Sequence, residues 1–284
     1  MTVLVTGASG HLGRRTVLAL LDRGVPAAEI VATARDLDAV ADLAGLGVQV
    51  RRADYDDPAS LDAAFAGVDR ALLVSSNAVG ARVPQHRNVI EAAVRAGVEL
   101  LAYTSLLRAD TSGLGLAADH LATEDLLKQS GLPVTLLRNG WYVENYTENA
   151  APALATGQVI GAAGTGRISA ATRQDFAEAA AVVLAGGEHA GAVYELAGDE
   201  AFTMAEYAAA LGTATGREIG YTDLSAADYA ATLTSAGVPA AFAELLADSD
   251  LGVARGDLED HSGDLARLIG RPTTRLAEAV ADVA

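Results

Sequence analysis

The sequence predicts an α/β protein built on a doubly wound parallel sheet, with a smaller C-terminal α/β lobe. Three observations predict it. Short apolar runs alternate with helical stretches through the first 140 residues. A glycine-rich turn joins the first of these runs to the first helix. After about residue 140 the alternation gives way to alanine-rich helices. Strand–helix alternation with right-handed crossovers produces a parallel sheet covered on both faces.

The elements follow in order. Apolar runs at 3–5, 30–33, 48–51, 71–74, 100–103 and 134–137 are too short for helices and have turn residues nearby, so each reads as a strand. Helical patterns at 10–23, 58–66, 84–96 and 117–130 fill the gaps. Asp57 before Pro58 reads as an N-cap with proline in the first turn. Gly24, Gly67, Gly97 and Gly131 close these helices. Beyond 140, Thr172-x-x-Asp175, Thr203-x-x-Glu206 and Ser225-x-x-Asp228 read as capping boxes. Strands are expected at 193–196 and 219–222, with 159–160 and 193–196 extending the main sheet. The expected division is a Rossmann-like domain over 1–140, with returning segments near 155–195, and a substrate-side lobe made mainly of 141–284.

Composition narrows the function. Half of the 284 residues are apolar, enough for a sizeable core. No apolar run approaches the about 20 residues that span a bilayer. The opening MTVLVTG is already a strand feeding a turn, so no secretory leader is expected. Cysteine is absent, which excludes disulfides, thiolate metal sites and thiol catalysis and suits the cytoplasm. A net charge of −17 argues against nucleic acid and anionic membranes as partners. Lys128 is the only lysine.

The strongest local signal is TGASGHLG, residues 6–13: Gly7, Ala8, Ser9, Gly10, His11, Leu12 and Gly13 after the opening threonine. Glycines at 7, 10 and 13 permit a tight turn, close approach of a pyrophosphate, and close helix–strand packing. The following helix N-terminus offers N–H groups to phosphate. The spacing is GxxGxxG, and the strand–turn–helix context gives it weight. Arg35 ends the second strand, where an arginine reads the 2′-phosphate of NADP(H) and a carboxylate reads the 2′-hydroxyl of NAD. Asp36 follows and pulls the other way. Asp54 either faces the adenine or caps a turn. Ser75 and Ser76, at the carboxyl end of the fourth strand, either line the ligand or are turn serines.

A missing pair is equally informative. Proton exchange with an alcohol or carbonyl commonly uses Tyr-x-x-x-Lys, the lysine lowering the tyrosine pKa. Four residues before Lys128 stands Glu124, and four after Tyr103 stands Leu107, so no such pair exists. Hydride transfer to an acceptor that needs little acid catalysis remains open, and a quinone is one. After the sixth strand, RNGWYVENY holds Gly140, the only tryptophan, Trp141, and then Tyr142, Val143, Glu144, Asn145 and Tyr146. These aromatics and amides either sandwich a flat ring or form a packed joint between lobes. His120 and Glu124 share a helix face, as a surface pair or as pocket lining. No metal is expected. Substrate positioning or proton assistance falls to Trp141, Tyr142, Asn145 and His120.

These segments together resemble the NmrA-like branch of the atypical short-chain dehydrogenases, and within it the type 2 NADPH:quinone oxidoreductases of bacteria. The similar stretches include TGASGHLG, RVPQHRNVIEAAVRAGV, LLAYTSLLRADTSGLGLAADH, LLRNGWYVENYTENA and LADSDLGVARGDL, and the likeness runs through nearly the whole chain. The resemblance implies NADPH held by Gly7–Leu12, Arg35, Ser75, Ser76 and Gly140–Asn145, with Arg173 as a further cofactor-pocket position. It also implies reduction of a small quinone without Tyr-x-x-x-Lys. A non-catalytic NADP(H) redox sensor of the NmrA type is the alternative. An ether- or imine-reducing enzyme would be expected to place a lysine in the pocket, and Lys128, late on its helix, fits poorly. The oligomeric state is not legible.

Overall fold

The computed structural model describes residues 1–78, 80–281 and 283. Among them, strands β1 (Val3–Val5), β2 (Ile30–Ala34), β3 (Gln49–Arg52), β4 (Arg70–Leu73), β5 (Leu100–Leu106), β6 (Val134–Asn139) and β8 (Val193–Leu196) form one sheet in the order β3-β2-β1-β4-β5-β6-β8. A separate two-stranded sheet pairs β7 (Gln158–Gly161) with β9 (Gly220–Asp223). The ladders from β3 through β6 are parallel. The helices are α1 (His11–Asp22), α2 (Ala41–Gly45), α3 (Pro58–Phe65), α4 (Arg82–Ala96), α5 (Ala117–Gln129), α6 (Glu144–Thr147), α7 (Ala151–Thr156) and α8 (Arg173–Ala185). They continue with α9 (Met204–Thr215), α10 (Ala226–Ser235), α11 (Ala240–Arg255), α12 (Asp264–Ile269) and α13 (Leu276–Ala281).

The chain divides into two compact units. Unit 1 is Met1–Ala109, Ala118–Asn139 and Arg173–Tyr194; unit 2 is Asp110–Ala117, Gly140–Thr172 and Glu195–Ala284. Every residue of β1, β2 and β5 is buried, as a parallel sheet covered on both faces requires. On one face Phe65 of α3, Ile90 of α4 and Leu127 of α5 join Leu4, Leu101 and Tyr103 of the sheet in a single core cluster. Fully burying a side chain such as Phe65 contributes about 1.5–3 kcal/mol. α1 and α8 pack on each other within the same unit. The outermost β3 is only half-buried and carries Arg51 and Arg52, charges that discourage edge-to-edge pairing.

Several local expectations hold at atomic detail. Asp57 caps α3, its side chain accepting the Ser60 N–H. Thr203 and Glu206 form a complete capping box on α9, and Ser225 caps α10. Three expectations need correction. Residues 159–160 do not extend the main sheet: β7 pairs with β9 instead, register Val159 to Tyr221. β5 and β6 run further than their apolar runs, because their ladder continues through Ser105–Arg138 and Leu106–Asn139. The 84–96 helix begins two residues earlier, at Arg82, with Pro84 inside its first turn.

Candidate functional site

The strand order reverses between β1 and β4, and ligands of open parallel sheets bind at such a switch, beyond the carboxyl ends of the strands. The glycine turn sits there. Gly7 takes a positive φ of +61°, which an L side chain rarely adopts. A Cβ on Gly13 would stand 2.5 Å from the Gly7 carbonyl oxygen, so Gly13 is what lets α1 close onto β1. A Cβ on Gly10 would meet only the Gly7 carbonyl oxygen, at 3.3 Å. Gly10 is exposed and is the N-cap of α1, where no side chain caps the helix and no acidic residue occupies the first turn. The turn therefore presents bare backbone and a partial positive charge to an anion. Ser9, Gly10 and His11 face outward, whereas Ala8 and Leu12 are buried and the Ala8 N–H is committed to the Thr33 carbonyl at 2.8 Å.

A clip built from Tyr55, Thr6 and Val74 holds the two sides of the switch together. The Val74 N–H donates to Thr6 Oγ1 at 2.9 Å, and the Tyr55 O–H donates to the Val74 carbonyl at 2.8 Å. Tyr55 and Thr6 hydroxyls are 2.5 Å apart. Tyr55 has one proton and gives it to Val74, so Thr6 donates to Tyr55. Burial pushes the Tyr55 phenol above its ordinary range, which keeps that proton in place.

Arg35 is exposed at the end of β2, one residue beyond its last strand position. Next to it, Asp36 Oδ1 accepts the Asp38 N–H at 3.0 Å and shapes the turn. Asp54 is likewise a turn residue, its Oδ1 accepting the Asp56 N–H at 3.1 Å. The loop after β4 is tied down from below. The Ser75 N–H donates to Thr104 Oγ1 at 2.8 Å and the Ser76 N–H to His86 Nε2 at 2.9 Å. Because Nε2 accepts, the His86 proton lies on Nδ1, 3.0 Å from Thr123 Oγ1. Burial, then the positive charges possible on His120 and present on Arg82, push His86 down to about 3.

His120 and Glu124 do not form a pair. They occupy the buried stripe of α5, and each is committed elsewhere. Glu124 is 0% exposed and receives Arg138 twice, Nε to Oε1 at 2.9 Å and Nη2 to Oε2 at 2.8 Å, together with the Ser105 hydroxyl at 2.6 Å. His120 Nδ1 lies 2.8 Å from the Tyr103 hydroxyl. Burial raises Tyr103 above its ordinary range, so the phenol keeps its proton and donates it to His120. Burial and Arg82 push His120 down to about 3, leaving a neutral ring with its proton on Nε2.

In unit 2 the segment after β6 is pinned by its backbone. The Val143 N–H donates to the Ala171 carbonyl at 3.0 Å, and the Ala171 N–H to the Trp141 carbonyl at 3.1 Å. Val143 is buried, while Trp141, Tyr142, Glu144 and Asn145 are partly exposed. Tyr146 stacks at a tilt on Tyr207, centroids 5.3 Å apart, and meets Phe202 edge-on. Arg173 opens α8 and is partly exposed. A cavity of about 200 Å³ in unit 2, lined by Asp199, Phe202, Thr273 and Arg275 among others, contains none of the residues singled out by sequence. Among the described residues, no group of histidine and acidic side chains could hold a metal ion, and no helix is long and apolar enough to cross a membrane.

Sequence reasoning missed the Tyr55 clip, the His86 contact and the Glu124–Arg138 ion pair. Spacing does carry a trace of the last: Ala117, His120, Glu124 and Leu127 follow one helical stripe, and all are buried.

The model of the NmrA-like family matches residues 1–262. Quinone oxidoreductase 2 of Escherichia coli is 52% identical over 278 residues, covering 98% of this chain and 97% of that protein. The crystal structure of an E. coli NADPH-dependent quinone oxidoreductase complexed with NADPH superposes with a TM-score of 0.96, covering 99% of each chain at 52% identity. The Citrobacter sp. triphenylmethane reductase complexed with NADP(H) gives a TM-score of 0.95 at 36% identity, covering 100% of both chains.

Proposed function

From its membership of the NmrA-like family, to which the chain belongs, we infer that this protein is an NADPH-dependent quinone oxidoreductase. The observation that carries the inference is full-length likeness to a quinone oxidoreductase at 52% identity. The geometry supports it independently. The Gly10 surface fits a pyrophosphate, because it is open, uncapped and free of carboxylates. Arg35, with Asp36 turned to the backbone, suits a 2′-phosphate. When bound, NADPH supplies a hydride from its nicotinamide ring.

The chain's own residues do the rest. Ser9, Gly10 and His11 receive the diphosphate at the α1 N-terminus, and Arg35 pairs with the 2′-phosphate. Ser75 and Ser76, held by Thr104 and His86, border the ligand at the end of β4. Trp141, Tyr142 and Asn145 receive a small, flat quinone. Neutral His120 donates through Nε2 rather than acting as a cation. No side chain serves as a covalent nucleophile, and catalysis rests mainly on proximity between donor and acceptor. The acidic, cysteine-free chain suits work in the cytoplasm. Steady-state oxidation of NADPH, with and without 1,4-benzoquinone, tests the reading. Turnover that depends on the quinone is expected. Tight NADPH binding without turnover toward any small quinone would instead identify a redox sensor.

A further inference from the structure

Within unit 1, the N-terminal half of α4 places Arg82, Gln85 and His86 against the loop that follows β4. Arg82 is 6% exposed and His86 is 0% exposed. All three side chains bond one residue, Ser76. The Ser76 N–H donates to His86 Nε2 at 2.9 Å, its carbonyl accepts from Arg82 Nε at 2.7 Å, and its hydroxyl donates to Gln85 Oε1 at 2.5 Å. Ser76 Oγ also accepts the Ala78 N–H at 3.1 Å. Both donors of Ser76 are thus spent on the protein, and the residue is an anchor for its loop.

His86 is itself fixed. Its Nδ1–H donates to Thr123 Oγ1 at 3.0 Å, and the Thr123 hydroxyl donates to the Asp119 carbonyl at 2.9 Å. The Tyr103 ring meets the imidazole edge-on, centroids 5.4 Å apart. Arg82 Nη1 lies 3.7 Å from Asp119 Oδ2 of α5, buried and without a hydrogen bond. The same helix holds the loop after β3: Asn88 Nδ2 donates to the Tyr55 carbonyl at 2.8 Å, and Gln85 Nε2 to Asp56 Oδ2 at 2.9 Å. Tyr55 carries the clip to Thr6 and Val74, so α4 also seats the clip beside the glycine turn.

A charged N–H buried without a partner is costly to a fold. Binding groups, however, are kept in productive geometry by just such a shell of packed, hydrogen-bonded side chains behind them. The strand order indicates what this loop serves. β2, which leads to Arg35, lies on one side of β1, and β4 lies on the other. A dinucleotide bound across that switch with its 2′-phosphate at Arg35 lays its nicotinamide half over β4. We propose that His86 is a positioning residue for the nicotinamide half of NADPH: together with Arg82 and Gln85 it fixes Ser76, and with it the loop against which that half lies. The proposal rests on the NADPH reading above.

Two ligands separate positioning from a merely structural role: NADPH, and adenosine 2′,5′-bisphosphate, which carries the adenosine half alone. His86→Leu keeps most of the bulk of the ring but offers the Ser76 N–H no acceptor. Calorimetric titration is expected to show NADPH weakened about tenfold, with the bisphosphate bound as by the wild type. His86→Gln, whose amide oxygen accepts the same N–H, is expected to bring NADPH binding back to within about threefold of wild type. Equal weakening of both ligands, or unchanged NADPH binding in folded His86→Leu, overturns the proposal. Gln85→Ala gives a second reading that does not depend on the folding of a core variant, because Gln85 is only half-buried. It removes the acceptor of the Ser76 hydroxyl, so NADPH should weaken and the bisphosphate should not; an unchanged NADPH affinity again overturns the proposal. Wild-type protein that binds neither ligand would overturn the cofactor reading itself, a result separate from any variant's.

Discussion

Gly10 and Gly13 stand one helical turn apart and carry different constraints. Gly13 has backbone 2.5 Å from where its Cβ would be, so Gly13→Ala must shift α1 from β1 and should cost about 1–3 kcal/mol or more in a denaturant titration. Gly10 is exposed and a Cβ there would press only on the Gly7 carbonyl oxygen, at 3.3 Å, so Gly10→Leu should fold after a small local shift yet lose NADPH binding, as calorimetric titration would show; undiminished binding would remove the glycine turn as the phosphate site. Arg35, exposed and proposed to pair with the 2′-phosphate, bears on selectivity rather than stability. A charge-assisted pair with the 2′-phosphate contributes roughly 1.5–3 kcal/mol. Arg35→Ala should therefore weaken NADPH on the order of tenfold to a hundredfold while hardly altering NADH, and equal losses would show that it reads something else. Glu124 is the opposite case, a charge fixed in the core. Glu124→Gln removes one of the two charges of the buried Glu124–Arg138 pair, which should cost about 3–5 kcal/mol of stability by chemical denaturation. A loss below 1 kcal/mol would mean that the pair is dispensable.

At the scale of elements, the segment after β6 is the one proposed to receive the substrate. Its backbone is tied to Ala171 through Trp141 and Val143 carbonyl and amide groups, so truncating the Trp141 side chain leaves the tether intact. Trp141→Ala should raise the quinone KM or lower kcat and change NADPH affinity only modestly; an NADPH loss as large as the quinone effect would move Trp141 to the cofactor. Elements with local signals were the legible ones. Asp57-Pro58, Thr203-x-x-Glu206 and Ser225-x-x-Asp228 marked helix starts because capping is satisfied within four residues. The ends of β5 and β6 were not legible, since Ser105, Arg138 and Asn139 are polar and are kept in the strands by ladder pairing and by the Glu124 contact. The partner of β7 was not legible either, because pairing Val159 with Tyr221 joins segments some 60 residues apart and no local pattern encodes that choice.

For the whole molecule, the alternation of strands and helices and the glycine turn were enough to reach the strand reversal between β1 and β4, and hence the edge where a dinucleotide belongs. What that reading could not reach were side chains whose meaning is tertiary. Asp54, an adenine contact or a turn cap by sequence, accepts the Asp56 N–H, and Asp36, the acidic neighbour of Arg35, accepts the Asp38 N–H. His120 and Glu124, a surface pair or pocket lining by their spacing, are buried with different partners. On the proposed function, the protein binds NADPH and passes its hydride directly to a quinone. The most direct measurement is a single anaerobic turnover: protein preloaded with NADPH is mixed rapidly with 1,4-benzoquinone, then the experiment is repeated with NADPH deuterated at the transferred position. One hydroquinone formed per NADPH oxidised, slower with deuterium, and no semiquinone signal are expected. Bound NADPH that persists unoxidised, or a rate indifferent to deuterium with semiquinone present, would contradict that function.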